Sequence, residues 1–233
     1  MKAIILAAGK GTRLGEIGKL GPKCLIRIGG KAIIRHQIEA LKSNGITDIS
    51  IVAGYYASRV RKELKNAGIK FYLNKDYWKT GMLESLFCAR EELNDDAIIL
   101  YGDVVFEPNL IKNLLKDKND FCLVVDGKKG VKGDTKVKIS RGMVVDISKS
   151  RSLKESGGKY IGIVKLSKGA IAIVYNRIRA LIASGEIKKY PSPSYLIKWL
   201  IENGNKIHAV YADNFLYEEI DDPEDFERSK KKF

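Results

Sequence analysis

Over its first 126 residues the chain alternates two kinds of segment, and that alternation leaves few folds open. Short apolar runs recur at 2–7, 48–53, 70–73, 97–101 and 121–125. Between them lie stretches with helical spacing: 31–43, with Ile34, Ile38 and Leu41 on one face, then 58–66, 82–93 and 109–116. Continuously apolar runs separated by amphipathic helices are what strands buried on both faces require. The β-α-β-α order with short connections predicts a single-domain, three-layer α/β/α fold of Rossmann-like type, with a mixed, mostly parallel central sheet. Ligands of such sheets sit beyond the C-terminal ends of the strands. The residues after Leu6, Ala53, Leu73 and Tyr101 are therefore the first candidates for a site.

The rhythm breaks after Asp126. Residues 127–156 are rich in Gly, Lys and Ser and hold two short alternating stretches, 136–140 and 143–148, which predict a small β-hairpin excursion. A strand (160–166), two helices (169–183 and 192–203) and a strand (206–211) follow. The acidic run 218–222 precedes Pro223, which opens a last helix at its first position with Asp222 as cap. Glu218 is expected in solvent, and the Ser/Lys-rich end after Arg228 is expected to fray. Without repeats or a long linker, 1–233 reads as one domain with halves 1–126 and 127–233.

Composition narrows the class. With 45% hydrophobic and 30% charged residues, a wholly disordered chain is excluded. No apolar run approaches the roughly 18 residues of a membrane span. Gly9-Lys10-Gly11 interrupts the first apolar run where a secretory signal would continue. Cys24, Cys88 and Cys122 are widely spaced, without CxxC pairs or nearby histidine, so they read as core residues of a cytoplasmic protein. The net charge of +14 asks for an anionic partner, and +9 of it falls within 127–168, where twelve Lys/Arg face three acids. That stretch has one aromatic residue, Tyr160, so it lacks the interleaved aromatics of a nucleic-acid site; an anionic membrane surface, a phosphorylated small molecule and plain solubility stay open.

The most specific string is Leu6-Ala7-Ala8-Gly9-Lys10-Gly11-Thr12-Arg13-Leu14, followed by Pro22-Lys23. An apolar strand ends at Ala7. Gly9 and Gly11 let the backbone turn tightly with amide N–H groups free to face an anion. Arg13 and Lys23 add positive charge. The string is neither a P-loop, which needs Gly-Lys-Ser/Thr after four spacers, nor a dinucleotide fingerprint, which needs a third glycine.

This motif resembles the signature of the nucleotidyltransferases that activate sugar 1-phosphates and related phosphomonoesters, a family on the fold shared with glycosyltransferase-A enzymes. The resemblance runs over nearly the whole chain. Within the family, 81–87 (Gly-Met-Leu-Glu-Ser-Leu-Phe), 158–162 (Gly-Lys-Tyr-Ile-Gly) and Glu219-Ile220-Asp221 look like the choline-phosphate and phosphonate cytidylyltransferase branch, and Gly102-Asp103 looks like the family's Gly-Asp strand end. The resemblance implies transfer of a nucleoside monophosphate, CMP from CTP by branch, onto a phosphate or phosphonate acceptor with release of pyrophosphate. Residues 1–126 would form the nucleotide-binding half, and 127–233 the acceptor-binding half with further metal ligands. Arg13 would hold the departing phosphates, and Lys23 would bridge the α-phosphate and the attacking oxygen. Leu6, Ala7, Ala8, Gly9, Gly11, Thr12 and Gly102 would line the nucleotide. Asp103, Glu219 and Asp221 would hold Mg²⁺, a hard cation that takes oxygen ligands.

By the same analogy Asn74, Thr80, Gly81 and Ser85 are the candidates for reading the base. Tyr160, Gly162 and Tyr195 are the candidates around the acceptor. Residues 190–194 (Tyr-Pro-Ser-Pro-Ser) replace an acidic stretch common in the branch, which argues against a cationic acceptor. The basic 127–168 segment, where the family builds its acceptor lid, points to an acceptor more anionic than choline phosphate. Alternatives are a sugar-1-phosphate nucleotidyltransferase using UTP, dTTP or GTP, a nucleotide-sugar glycosyltransferase, a molybdopterin-type guanylyltransferase (which prefers a different loop, ending in Met-Gly and Asp-Lys), a basic nucleic-acid-binding protein and a non-catalytic regulatory homologue. Monomer and dimer both stay open.

Overall fold

A computed structural model describes residues 1–19, 21–128, 135–149 and 157–233. The first half contains β1 (Lys2–Ala7), α1 (Gly15–Lys19), β2 (Arg27–Ile28), β3 (Lys31–Ala32), α2 (Ile33–Lys42), β4 (Ile49–Ala53), α3 (Ala57–Glu63), β5 (Lys70–Leu73), α4 (Met82–Cys88), β6 (Ala97–Tyr101), β7 (Val104–Phe106), α5 (Pro108–Lys116) and β8 (Phe121–Asp126). The second half contains β9 (Lys136–Ser140), β10 (Met143–Ser148), β11 (Gly158–Leu166), α6 (Lys168–Ala183), α7 (Pro193–Glu202), β12 (Ile207–Tyr211), β13 (Tyr217–Glu219) and α8 (Pro223–Lys232).

Nine strands form one sheet in the order β5-β4-β1-β6-β11-β8-β12-β10-β9. β1 is flanked by β4 and β6 in parallel, which explains why its sequence is apolar without alternation. β11 runs antiparallel between β6 and β8. The 136–148 hairpin forms as the sequence predicts but is not a separate excursion. β10 pairs with β12, and β9 returns to pair with the start of β11 through Gly158↔Val137, so the last strands close on themselves.

Two apolar layers cover the sheet. On one face Ile34, Ile38 and Leu41 of α2 pack with Val60 of α3 and Leu110, Ile111 and Leu114 of α5. On the other, Leu83 and Leu86 of α4 pack with Val174 and Ile178 of α6 and Leu196, Ile197 and Leu200 of α7. These burials are the spacing of three and four residues visible in the sequence. Cys24 and Cys122 are buried, Cys88 is half-buried, and all three are free thiols. No helix among the described residues is long and apolar enough to cross a membrane.

Two expectations fail at the C-terminus. The chain does not fray after Arg228: α8 runs to Lys232, Ser229 is buried, and Phe233 packs against a third apolar cluster with Leu14, Ile28, Ile33, Val105 and Ile220. Glu218 is not solvated but buried, 6% exposed, where Arg228 and Lys232 of α8 reach it at 3.1 and 2.6 Å. Alternation along β13 sends Glu218 to the face opposite Glu219, and two cations spaced i, i+4 on α8 meet it there.

Candidate active site

β1 ends at Ala7, and the chain passes through Ala8 and Gly9 into a turn at Gly11, whose φ of +65° lies in the left-handed region. A side chain on Gly11 would also meet Lys23 Cγ at 2.6 Å, so this glycine both shapes the turn and leaves room for the Lys23 stem. The amides of Gly9, Lys10 and Gly11 enter none of the backbone hydrogen bonds made in the described loops, and Gly9 and Lys10 are exposed. Gly9 and Gly11 border a cleft, at a strand end where loop amides can face an anion.

Beside this loop three segments converge. The Gly102–Asp103 turn between β6 and β7 is pinned from below by buried Gln37 of α2, whose Nε2 donates to Tyr101 O (2.7 Å) and Val104 O (2.8 Å). Gly102 lies so close to β1 that a Cβ would sit 2.9 Å from Ala7 Cβ. β13 pairs antiparallel with β7, and Ile220 N donates to Asp103 O at 2.9 Å, which brings Asp221 alongside Asp103. A capping box holds Asp221 there: Asp225 Oδ2 accepts from the amides of Asp221 and Asp222, and Asp222 Oδ1 accepts from Asp225 N. Asp222 is thus the cap the sequence predicts.

Lys23 joins the two carboxylates. Its Nζ lies 3.2 Å from Asp103 Oδ2 and donates to Asp221 Oδ1 in a close contact. Arg13 reaches the same Asp221 oxygen at 3.0 Å. Asp103 Oδ1 is buried and has no hydrogen-bond partner. Burial works against the Lys23 ammonium, but Asp103 and Asp221 outweigh it and hold its pKa above the ordinary lysine value. Burial raises the Asp103 carboxyl, Asp221 adds to the rise, and Lys23 opposes it. Burial, with Asp103 next in weight, pushes Glu219 up to about 7, against the pull of Lys159. Cys24 also borders the site, but burial, reinforced by Asp103, pushes its thiol to about 12, so it does not serve as a nucleophile at neutral pH.

These groups line a cleft of about 450 Å³. Of the sequence-predicted residues, Leu6, Ala7, Ala8, Gly9, Gly11, Arg13, Lys23, Thr80, Gly81, Ser85, Gly102, Asp103, Glu219 and Asp221 border it. Thr12 follows Gly11 in the same loop. Asn74 does not border the cleft. It is buried beneath, donating to Thr80 Oγ1 and Ser85 Oγ at 2.9 Å each, so it positions two residues that do.

The acceptor residues are not gathered. Tyr160 is buried edge-on against Tyr101. Gly162, at φ +82°, exists to clear Tyr101 Cδ2, which a Cβ would meet at 2.7 Å. Tyr195 is exposed on α7 and contacts Tyr190. None of the three borders the cleft. Nor are the three acids one ligand set: among the described residues no three acidic, imidazole or thiol groups converge closely enough to hold a metal ion. Asp103 and Asp221 share Lys23, whereas Glu219 faces Lys159 Nζ at 3.6 Å.

Sequence reasoning misses Tyr77, Met82, Pro191, Thr135 and Lys149, which also line the cleft. Pro191 had a readable partner. Gly81 lies against it, with Met82 N donating to Pro191 O at 3.1 Å, so Gly81 has no space for a side chain. Part of the basic 127–168 segment, residues 129–134 and 150–156, falls outside the described residues. In the rest the charge is dispersed. Lys165 donates to Asn119 O in the turn before β8, Lys159 turns to Glu219, and Lys149 reaches the cleft.

A donor-rich strand-end loop, two cations and facing carboxylates, set at the C-terminal edge of a Rossmann-like sheet, define a nucleotidyltransferase. The comparisons agree: the chain belongs to the MobA-like NTP transferase domain family, whose model matches residues 3–184. It is 31% identical to the CTP:phosphoglutamine cytidylyltransferase of Campylobacter jejuni over 91% of this chain and 93% of that protein. It is 37% identical to the choline-phosphate cytidylyltransferase of Streptococcus pneumoniae over 53% of each. The solved inositol-1-phosphate CTP transferase of T. maritima shares the fold, with a TM-score of 0.82 at 21% identity over 99% of this chain and 95% of that one.

Proposed function

We propose that this enzyme transfers CMP from CTP to a phosphate- or phosphonate-bearing small molecule, releases pyrophosphate and uses Mg²⁺. The observation that carries the reading is Lys23, held between Asp103 and Asp221 beside the Gly9–Gly11 turn. Two polyanions must approach each other in such a reaction, so the protein's work is alignment and charge neutralisation. The loop amides receive the triphosphate. Arg13 holds the departing β- and γ-phosphates. Lys23, on an unbranched and flexible stem, exchanges a carboxylate for a phosphate oxygen and draws the attacking oxygen to the α-phosphorus. No protein nucleophile is needed.

The donor set suits a hard cation. Asp103 and Asp221 offer carboxylate oxygens, and the buried, unpartnered Asp103 Oδ1 has capacity to spare. We assign Asp103 and Asp221 to Mg²⁺ and leave Glu219 with Lys159, since one or two carboxylates plus substrate phosphates are the usual complement. When bound, the ion neutralises charge on the reacting phosphates. CTP is preferred to other nucleotides because two relatives matched at 31% and 37% identity are named for it. Thr80, Gly81 and Ser85, braced by Asn74, form the base side. The test is pyrophosphate release with each nucleoside triphosphate over a panel of phosphate and phosphonate acceptors. Acceptor-dependent release with CTP supports the proposal, and release confined to UTP, dTTP or GTP with a sugar 1-phosphate replaces it with the alternative.

A further inference from the structure

Glu219 and Asp221 both border the cleft, but their surroundings differ. Asp221 faces cations at the nucleotide side. Glu219 faces Lys159, whose ammonium lies 3.6 Å from Glu219 Oε2 and 5.6 Å from the Tyr217 ring centroid. Lys159 is buried, 7% exposed, and borders not the cleft but a second cavity behind Glu219, of about 600 Å³. A buried ammonium needs a paired anion, and Glu219 is the acid that Lys159 reaches from behind. On the open side, Thr135 and Lys149 flank the paired ends of β9 and β10 and reach the cleft, and Tyr160 N, one residue beyond Lys159, donates to Thr135 O at 2.9 Å. Counted with Asp103 and Asp221, which also act on Glu219, and with Lys23 and Arg13 that pair them, this region sets three acids against four cations among the described residues, Lys149 being the one added from the open side.

We propose that Lys149, and Lys159 acting through Glu219, select the acceptor by charge: the acceptor carries an anionic group, such as a carboxylate, besides its reacting phosphate or phosphonate, and a cationic head group is rejected. The inference rests on the cytidylyl-transfer reading above. An unpaired carboxylate at Glu219 would attract an ammonium group. With Lys159 behind it, an incoming cation meets a like charge, and like-charge juxtaposition is strongly unfavourable. Lys149 is then placed to pair with the acceptor's anion, and Lys159 is a positioning residue that never touches the acceptor.

A matched pair of probes tests this: 3-phosphonopropanoate and 2-aminoethylphosphonate, of similar length and opposite terminal charge. Their affinities are measured by calorimetry on the full chain, with and without a non-hydrolysable CTP analogue. The analogue's own binding reports on the cytidylyl reading, so failure there is distinct from failure here. The wild type should bind the carboxylate probe at least about tenfold more tightly than the amine. Lys159→Met should reverse or abolish that ratio while analogue affinity stays as it was, and Lys159→Arg should keep the ratio. Lys149→Met should weaken the carboxylate probe about tenfold and leave the amine unaffected. Binding of neither probe, equal binding by the wild type, or equal losses for both probes in Lys159→Met would overturn the proposal.

Discussion

The two ends of β1 each carry a cluster of charged side chains, and the clusters are built on opposite principles. At the start of the strand a single buried carboxylate, Glu92, has three donors: Lys2 Nζ at 2.8 Å, Lys70 Nζ at 3.0 Å and Tyr72 OH at 2.6 Å. Burial opposes its ionisation, yet those three donors hold it down at about 2. Beyond the end of the strand Lys23 serves two carboxylates, Arg13 also reaches Asp221, and an Asp103 oxygen is left without a partner. There Asp103 is held above its ordinary value and Glu219 lies at about 7. In the first, Lys70 also pairs with Asp48 at 2.8 Å, and the cluster fastens β1, β5 and the segment after α4 together. In the second, one carboxylate oxygen stays unpartnered and two carboxyls sit above their ordinary values. Perturbed carboxyls of this kind mark functional sites.

That contrast predicts a double dissociation between activity and stability. The largest effect is expected at Lys23 and Asp103. Lys23→Ala and Asp103→Asn should each lower kcat/KM by about 10²–10³, the loss typical of one electrostatic contact to the reacting group. Asp103→Asn should leave the unfolding free energy within about 1 kcal/mol of wild type, or raise it, because it removes a buried charge that Asp221 repels. Urea unfolding beside pyrophosphate assays reads both. At the other end, Glu92→Gln should remove about 2 kcal/mol of stability and leave kcat within twofold.

The same contrast carries opposite pH signatures. Glu92 binds its proton less readily in the folded chain, so its contribution is complete above the unfolded value of about 4.5 and is lost as pH falls toward 2. Glu92→Gln should flatten the acid limb of the stability profile. Glu219 binds its proton more readily when folded, so its contribution is present below about 4.5 and is lost as pH rises through 7. Glu219→Gln should remove that decline, the smallest of the effects, visible as a shallower slope between pH 5 and 7.

Local signals carried most of the fold. The runs 2–7, 70–73 and 97–101 match β1, β5 and β6 residue for residue, because each is apolar and bounded by turn residues. The N-terminal loop with Arg13 and Lys23 was equally legible, its residues being contiguous or nearly so. The features that escaped depend on distant partners. The β7–β13 ribbon pairs three-residue strands more than a hundred positions apart, too short to show a period. Glu218 looks like one of a run of surface acids until α8 brings Arg228 and Lys232 to it. Gln37 reads as a polar residue on an amphipathic helix, and only the fold shows that it pins the Asp103 turn. Tyr160 and Tyr195 had the right chemistry for an acceptor site, but packing took one into the core and left the other on an outer helix.

Lys23, Asp103 and Asp221 are proposed to drive cytidylyl transfer. Steady-state pyrophosphate release from CTP and Mg²⁺, measured as a function of added phosphonate acceptor in wild type and Lys23→Ala, decides it. Acceptor-dependent release by the wild type and a fall of about 10² or more in the variant are expected. Release that ignores the acceptor, or a variant within twofold of wild type, would contradict the proposal.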